Sequence, residues 1–472
     1  MLFYEPFFAL FVAPAFYALY LFINDRAAAK KWTLIVASVA FYTWGEPLFV
    51  PVVIVSTAID YALSHRMLVS RSQTERGVLV ALGIALNLGI LVFYKYIGFL
   101  ATNLNLVLEP LAGARVPVLQ IALPIGVSFV VFEKISYLVD VYRGTTKPAR
   151  TILDYSLFVF LFPKLLAGPI LKYHEMERQF AEPARVGWDD FTEGFLRTAR
   201  GMAKKILLAD PLGAHADRIF AADATALSTA DAAIGLVCFS LQIYFDFSAY
   251  SDMAIGLART LGFRLRENFN MPYIARSLTE FWRRWHISLT TWIRDYLYIP
   301  LGGSRRGEYR TYLNLWICFL ASGIWHGASW NFVLWGAYNG LFLSLDRLFL
   351  VRVLDRAGGL VATVVTLAIV TFGWVIFRTT SVEHLTQFMG ALAGLSRQAI
   401  DVDMDAEVPL TLTVGLLLCL VPATPLFAPL LRAYQGSAVL RGVVVFAILA
   451  LWILACGRAL AIPFKPFIYF RF

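Results

Sequence analysis

Two histidines in this chain stand among residues that could do chemistry. His326 lies in ASGIWHGASWNFVLWGAYNG, an apolar stretch in which Gly323 and Gly327 bracket it. It falls about 14 residues beyond Tyr312, or roughly 20 Å along a helix, which places an imidazole well inside hydrocarbon. Desolvation favours a neutral ring, and a neutral imidazole can act as a general base. The other reading is a histidine hydrogen-bonded between helices, with the glycines allowing close backbone approach. His286 lies in FWRRWHISLTTWIRDYLYIP. Phe281, Trp285, Leu289, Trp292 and Tyr296 recur there at helical spacing, so one continuous helix with an aromatic stripe beside arginines is predicted. Such a helix could rest in the membrane interface, where tryptophan and arginine are favoured. It could also form the lid or floor of a site whose arginines bind an anionic donor.

Other ionisable residues interrupt apolar stretches, and such residues are functional candidates by default. Asp60 and Asp140 read as lying near span ends. Glu133 and Lys134 are adjacent and point about 100° apart on a helix, so each needs its own partner. Asp246 and Asp252, in YFDFSAYSD, read as facing nearly opposite ways, one anchoring a helix and one facing a cavity. No Walker motif, GxGxxG, HExxH or Ser–His–Asp order occurs, which argues against an ATPase, a zinc protease and a serine hydrolase. Cys238, Cys318, Cys419 and Cys456 lack metal or redox spacing and read as small hydrophobes.

The elements that must hold these residues are membrane helices. Hydrophobic residues make up 59% of the 472 positions and charged ones 15%, against the roughly 25% charged residues of soluble domains. Mean hydropathy is +0.66. Stretches of about 20 apolar residues recur, each enough to cross about 30 Å of hydrocarbon. The alternating segments of a membrane β-barrel do not appear. About eleven hydrophobic segments are expected, with re-entrant or interfacial pieces, in an all-α polytopic bundle forming a single membrane domain over 1–472. Phe3–Ile23 reads as a retained first span rather than a cleaved signal. Ile152–Tyr173 is broken by Pro163, Lys164, Gly168 and Pro169. Phe195–Pro211 is basic and amphipathic and is expected in the interface. Leu313–Leu350 is a long apolar run interrupted by Gly323, Gly327 and Asn331.

Net charge is +9 and unevenly placed. The segment 259–310 carries ten arginines against four acids. Basic turns alternate along the chain and mark the cytoplasmic side. The arginine-rich segment also suits a phosphorylated cytoplasmic ligand, because guanidinium donates paired hydrogen bonds to phosphate. Nucleic acid is not expected, since the arginines sit among membrane segments.

Nearly the whole chain resembles the membrane-bound O-acyltransferase (MBOAT) family, and within it the bacterial alginate O-acetyltransferase membrane subunits. FWRRWHISLTTWIRDYLYIPLGG and SGIWHGASWNFVLWG carry the resemblance most clearly. FYTWGEP, LPIGVSF, FPKLLAGPILKY, YFDFSAYSDMAIGLARTLGF and the terminal PFIYFRF extend it. The resemblance implies a helical fold around a central tunnel, with His326 as catalytic base and His286 as the second motif residue. It implies acetyl-CoA as cytoplasmic donor substrate, with no bound cofactor or metal. Trp285, Arg283, Arg284, Arg294 and Asp295 would surround that donor. Tyr469 could receive the acyl group in passing. The implied location is the bacterial inner membrane. The implied partners are membrane lipid, a periplasmic serine-hydrolase-like acetyltransferase and a polysaccharide synthase. Alternatives are a transporter or flippase for a polysaccharide precursor, a scaffold, or a family member acting on peptidoglycan or teichoic acid.

Overall fold

The computed structural model describes residues 3–396, 402–462 and 466–468. Every regular element among them is helical. Five helices are long and apolar enough to cross a membrane: Val50–Val69, Gln73–Ala112, Thr229–Thr260, Gly359–Arg378 and Ala438–Ala461. A sixth is counted if Glu407–Ala423 and Phe427–Gly436, which meet at 91°, form one span. The other hydrophobic segments fold as shorter or more polar helices, so fewer elements meet the spanning criterion than the eleven expected. Phe8–Phe22, for example, is an apolar helix below that length. The bilayer explains Ala438–Ala461 best. Val439, Phe446, Ile453, Leu454 and Leu460 are all largely exposed, and an apolar helix with so little covered surface is at home in lipid. The protein is a multi-pass membrane protein.

The chain divides into two compact units. One comprises Met1–Phe195 with Ala254–Arg266, the other Leu196–Met253 with Glu267–Phe472. In the first, Val50–Val69, Gln73–Leu91 and Val127–Arg143 pack together around buried charge. Lys134 pairs with Asp60 at 3.2 Å and donates to Ser56 Oγ at 2.6 Å. Asn87 Nδ2 donates to both Asp60 oxygens at 3.1 and 3.0 Å. Glu133 pairs with Lys164 and accepts from the Leu171 N–H at 3.1 Å. The adjacent Glu133 and Lys134 thus take separate partners, as their angular offset requires. Asp60 differs from its expected place at a span end. Its helix runs from Val50 to Val69, which leaves Asp60 mid-helix and fully buried. Asp140 lies nearer its helix end and meets His174 Nδ1 at 2.8 Å. That carboxylate holds the imidazole above its ordinary pKa.

In the second unit, the basic residues predicted for the interface pair with buried acids, and Lys205 is itself buried. Asp252 meets Arg197 at 3.0 Å, Arg200 at 3.2 Å and Lys204 at 2.7 Å. Asp246 meets Lys205 at 2.9 Å. Gly201 brings the basic helix onto Thr229–Thr260 so closely that a Cβ there would lie 2.8 Å from the Ala249 carbonyl oxygen. Asp246 and Asp252 therefore answer one basic segment, 197–205, instead of one of them facing a cavity. Cys238, Cys318 and Cys419 are buried and Cys456 is partly so, and all four are free.

Candidate active site

The run 313–350 folds as a helical hairpin of Glu308–His326 and Trp330–Leu345. His326 is the last residue of the first arm. Gly327 takes extended backbone, and Ser329 caps the second arm by accepting from the Asn331 N–H at 3.3 Å. Serine at this position satisfies one of the helix's otherwise orphaned donors. The arms touch backbone to backbone. A Cβ on Gly323 would lie 2.2 Å from the Phe332 carbonyl oxygen, and one on Gly336 would lie 2.5 Å from that of Phe319. Main chain cannot rotate away, so Gly323→Ala must part the arms and shift His326. Overpacking of this kind costs about 1–3 kcal/mol. We expect a lower melting temperature and at least a tenfold loss of acyl transfer. Gly340→Ala, whose Cβ would come no nearer than 3.4 Å, to the Trp316 ring, should be close to neutral in the same assays.

His326 is buried among aromatic rings. Its centroid lies 5.0 Å from Trp325, 5.1 Å from Trp335 and 5.2 Å from Phe377, all nearly perpendicular to it. These contacts enclose the ring on several sides. Behind them, Asn331 Nδ2 donates to the Thr379 carbonyl at 2.6 Å, tying the hairpin to the end of Gly359–Arg378. Tyr338 donates to the Ile369 carbonyl of that helix at 2.8 Å.

His286 occupies a corner rather than the middle of a helix. Leu278–Arg284 ends before it and Ile287–Ile293 begins after it, with His286 itself left-handed at φ 43°. A non-glycine residue rarely adopts that conformation, and its surroundings must hold it. Asn268 does so. Its carbonyl accepts from the Ile287 N–H at 2.9 Å, and its Oδ1 accepts from the Ser288 N–H at 3.1 Å and Ser288 Oγ at 2.9 Å. His286 Nδ1 lies 3.2 Å from the same Oδ1. A backbone N–H only donates, so that amide atom is an acceptor and His286 Nδ1 carries the proton. Nε2 then bears the lone pair. Asn268 is in turn fixed by donating to Ser251 Oγ at 3.2 Å. Burial pushes the His286 pKa down to about 3, so the ring is neutral at any physiological pH. His286 and His326 flank one indole, Trp325, at 6.1 and 5.0 Å between centroids.

The aromatic stripe 281–296 is core rather than an interfacial face. Trp285 is enclosed by Phe269, Phe281 and Trp374 at 5.0–5.5 Å. Arg284 is held by Glu280 and by the Asn270 carbonyl, and Arg294 by Asp295. Arg283 is exposed and, among the described residues, has no ion pair. The same holds for Arg305 and Arg306, on the turn that follows Gly302 and Gly303. Farther back, Arg259, Arg264 and Arg266 are neutralised by Asp190, Glu193 and Glu175. The uncommitted charge of segment 259–310 is thus concentrated toward its later part. Tyr469 lies outside the described residues. Asn268 was missed from sequence, because it contacts His286 from 18 residues away and no motif spacing marks it. The aromatic wall of His326 draws on Trp335 and on Phe377, 51 positions distant, and was missed for the same reason.

A helical membrane chain with a buried histidine on a glycine-packed hairpin matches a known family. The chain belongs to the membrane-bound O-acyltransferase (MBOAT) family, whose family model matches residues 149–357. It is an acyltransferase. It is 40% identical over 384 residues to "Probable alginate O-acetylase AlgI" of Pseudomonas aeruginosa, covering 81% of this chain and 73% of that one. It is 32% identical over 430 residues to the peptidoglycan O-acetyltransferase of Helicobacter pylori, covering 84% and 80%. A more distant relative is the teichoic acid D-alanyltransferase of Bacillus subtilis, 23% identical over 284 residues, covering 55% and 70%.

Proposed function

We propose that this protein is the membrane O-acetyltransferase of an exopolysaccharide pathway, with alginate the leading acceptor. It would act in the bacterial inner membrane, take acetyl groups from cytoplasmic acetyl-CoA through a central tunnel, and deliver them to a periplasmic serine-hydrolase-like acetyltransferase working beside a polysaccharide synthase. The observation that carries the chemistry is His326, a buried imidazole fixed at a hairpin turn, with neutral His286 across Trp325. The alginate reading is supported by the identity to alginate O-acetylases.

In this reading His326 removes the proton from an acceptor hydroxyl as its oxygen attacks the thioester carbonyl carbon. The tetrahedral intermediate collapses, the C–S bond breaks, and the departing sulfur takes that proton from His326. Aromatic walls exclude the water that would otherwise hydrolyse the thioester. His286 and Trp285 orient the donor. Arg283, with Arg305 and Arg306, meets the phosphates of coenzyme A. Arg305→Ala and Arg306→Ala are expected to raise KM for acetyl-CoA by about tenfold each, the scale of a charge-assisted hydrogen bond, with kcat little changed. The effect should shrink at high ionic strength, which steady-state kinetics in 0.05 and 0.5 M salt would read.

Proteoliposomes supplied with labelled acetyl-CoA test the whole reading. Acetyl transfer to an alginate acceptor without net movement of solute supports it, whereas solute movement without transfer favours a transporter. The relationship to a peptidoglycan O-acetyltransferase favours one second acceptor. Acetyl content of each surface polymer in a deletion strain separates the two: loss from alginate supports the first reading, loss from peptidoglycan alone the second.

A further inference from the structure

The segment Pro466–Ile468 is built into the wall behind His286. Asp246 is the centre of its attachment. One carboxylate oxygen accepts from the Ile468 N–H at 2.7 Å, and the other meets Lys205 Nζ at 2.9 Å. Lys205 is held at the same time by Asp210 at 2.7 Å. Asp246, Lys205, Phe467 and Ile468 are all almost completely buried. A carboxylate buried this deeply is costly unless its lone pairs are answered, and here one of the answers is the main chain of a residue more than two hundred positions away. Phe467 then stacks on Tyr250 at 4.9 Å and meets Phe247 at 5.7 Å. Phe247 presents its ring to His286 at 4.6 Å and 85°. The contacts form a continuous chain: Lys205, Asp246, the 467–468 main chain, Phe467, Phe247, His286.

We propose that Asp246 is a positioning residue for acyl transfer: it latches segment 466–468 in place, and through Phe467 and Phe247 that segment supports the His286 ring. The proposal rests on the reading that the His286–His326 cluster is the acyl-transfer site. It assigns Asp246 no contact with substrate. It explains why a carboxylate sits in the middle of an apolar helix where Lys205 alone could be satisfied by Asp210.

Two measurements test it, one of which needs no activity. In a background with the four native cysteines replaced, Ile468→Cys retains the backbone N–H and places a thiol at a buried position. Its reaction with a water-soluble maleimide should be slow, and adding Asp246→Ala should speed it at least tenfold. Unchanged labelling would overturn the latch. With Ile468→Ala as the control for the lost side chain, the second measurement uses Ile468→Pro, which also removes the donated N–H and leaves the Lys205–Asp246 pair intact. Its kcat should fall at least tenfold with KM for acetyl-CoA within about twofold of the parent. Asp246→Asn, which keeps an oxygen acceptor for Ile468, should retain more kcat than Asp246→Ala. Wild-type kcat in Ile468→Pro would overturn the positioning role. If the unmodified protein transfers no acetyl group from acetyl-CoA, the donor reading fails, and the maleimide result still decides the latch.

Discussion

Replacing His326 by alanine is expected to lower acyl transfer by about 10²–10⁴, the range a positioned general base supplies. The loss should fall on kcat, since the imidazole is asked to act only as the hydroxyl is deprotonated. His326→Gln tests the same role with a side chain that still fills much of the aromatic enclosure formed by Trp325, Trp335 and Phe377. Both variants should insert in the membrane and elute as monodisperse protein in detergent, because the hairpin is held by backbone contacts at Gly323 and Gly336 rather than by the histidine. Persistent transfer in folded His326→Ala protein would remove His326 as the base and turn attention to His286, whose Nε2 lone pair is set by Asn268.

The second large effect concerns stability. Lys134→Met leaves the buried Asp60 without its cationic partner, with only neutral groups such as Asn87 and Tyr155 beside it. Breaking a buried pair from one side costs about 3–5 kcal/mol, most of it the penalty of the stranded charge. A clear drop in melting temperature in detergent is therefore expected. Asp60→Leu combined with Lys134→Met should recover most of the loss, since a well-packed apolar pair avoids both desolvation penalties. A double variant no more stable than Lys134→Met would mean that the charges hold the helices in register by geometry that apolar packing does not replace.

These two outcomes bear on different layers of what could be read from sequence. The membrane class follows from composition, because only lipid tolerates helices such as Ala438–Ala461. The separate partners of Glu133 and Lys134 follow from helical geometry. Both histidines stand out by residue type, and His326 by its depth as well. The break at His286 does not, because aromatic periodicity continues across it and the left-handed residue is held by Asn268, a tertiary neighbour. The inward turn of Arg197, Lys204 and Lys205 is equally hidden. A basic amphipathic pattern describes an interfacial helix and a buried ion-pair helix alike until Asp246 and Asp252 are placed opposite it. The depth of Asp60 is hidden for a simpler reason: Ser64, His65 and Arg66 lower the hydropathy before the helix ends at Val69.

The glycine contacts of the hairpin carry one more consequence. Where Gly323 and Gly336 meet the opposite main chain, no side-chain layer lies between the arms to be repacked. The location of His326 is therefore inherited from two backbones. The surrounding rings belong to Trp335 and, on a different helix, Phe377. A substitution at either ring would change the size and polarity of the space beside His326 while the imidazole stays where it is. The acyl groups named for two relatives, acetyl and D-alanyl, differ in size and charge, and an enclosure that can change around a fixed imidazole would suit either.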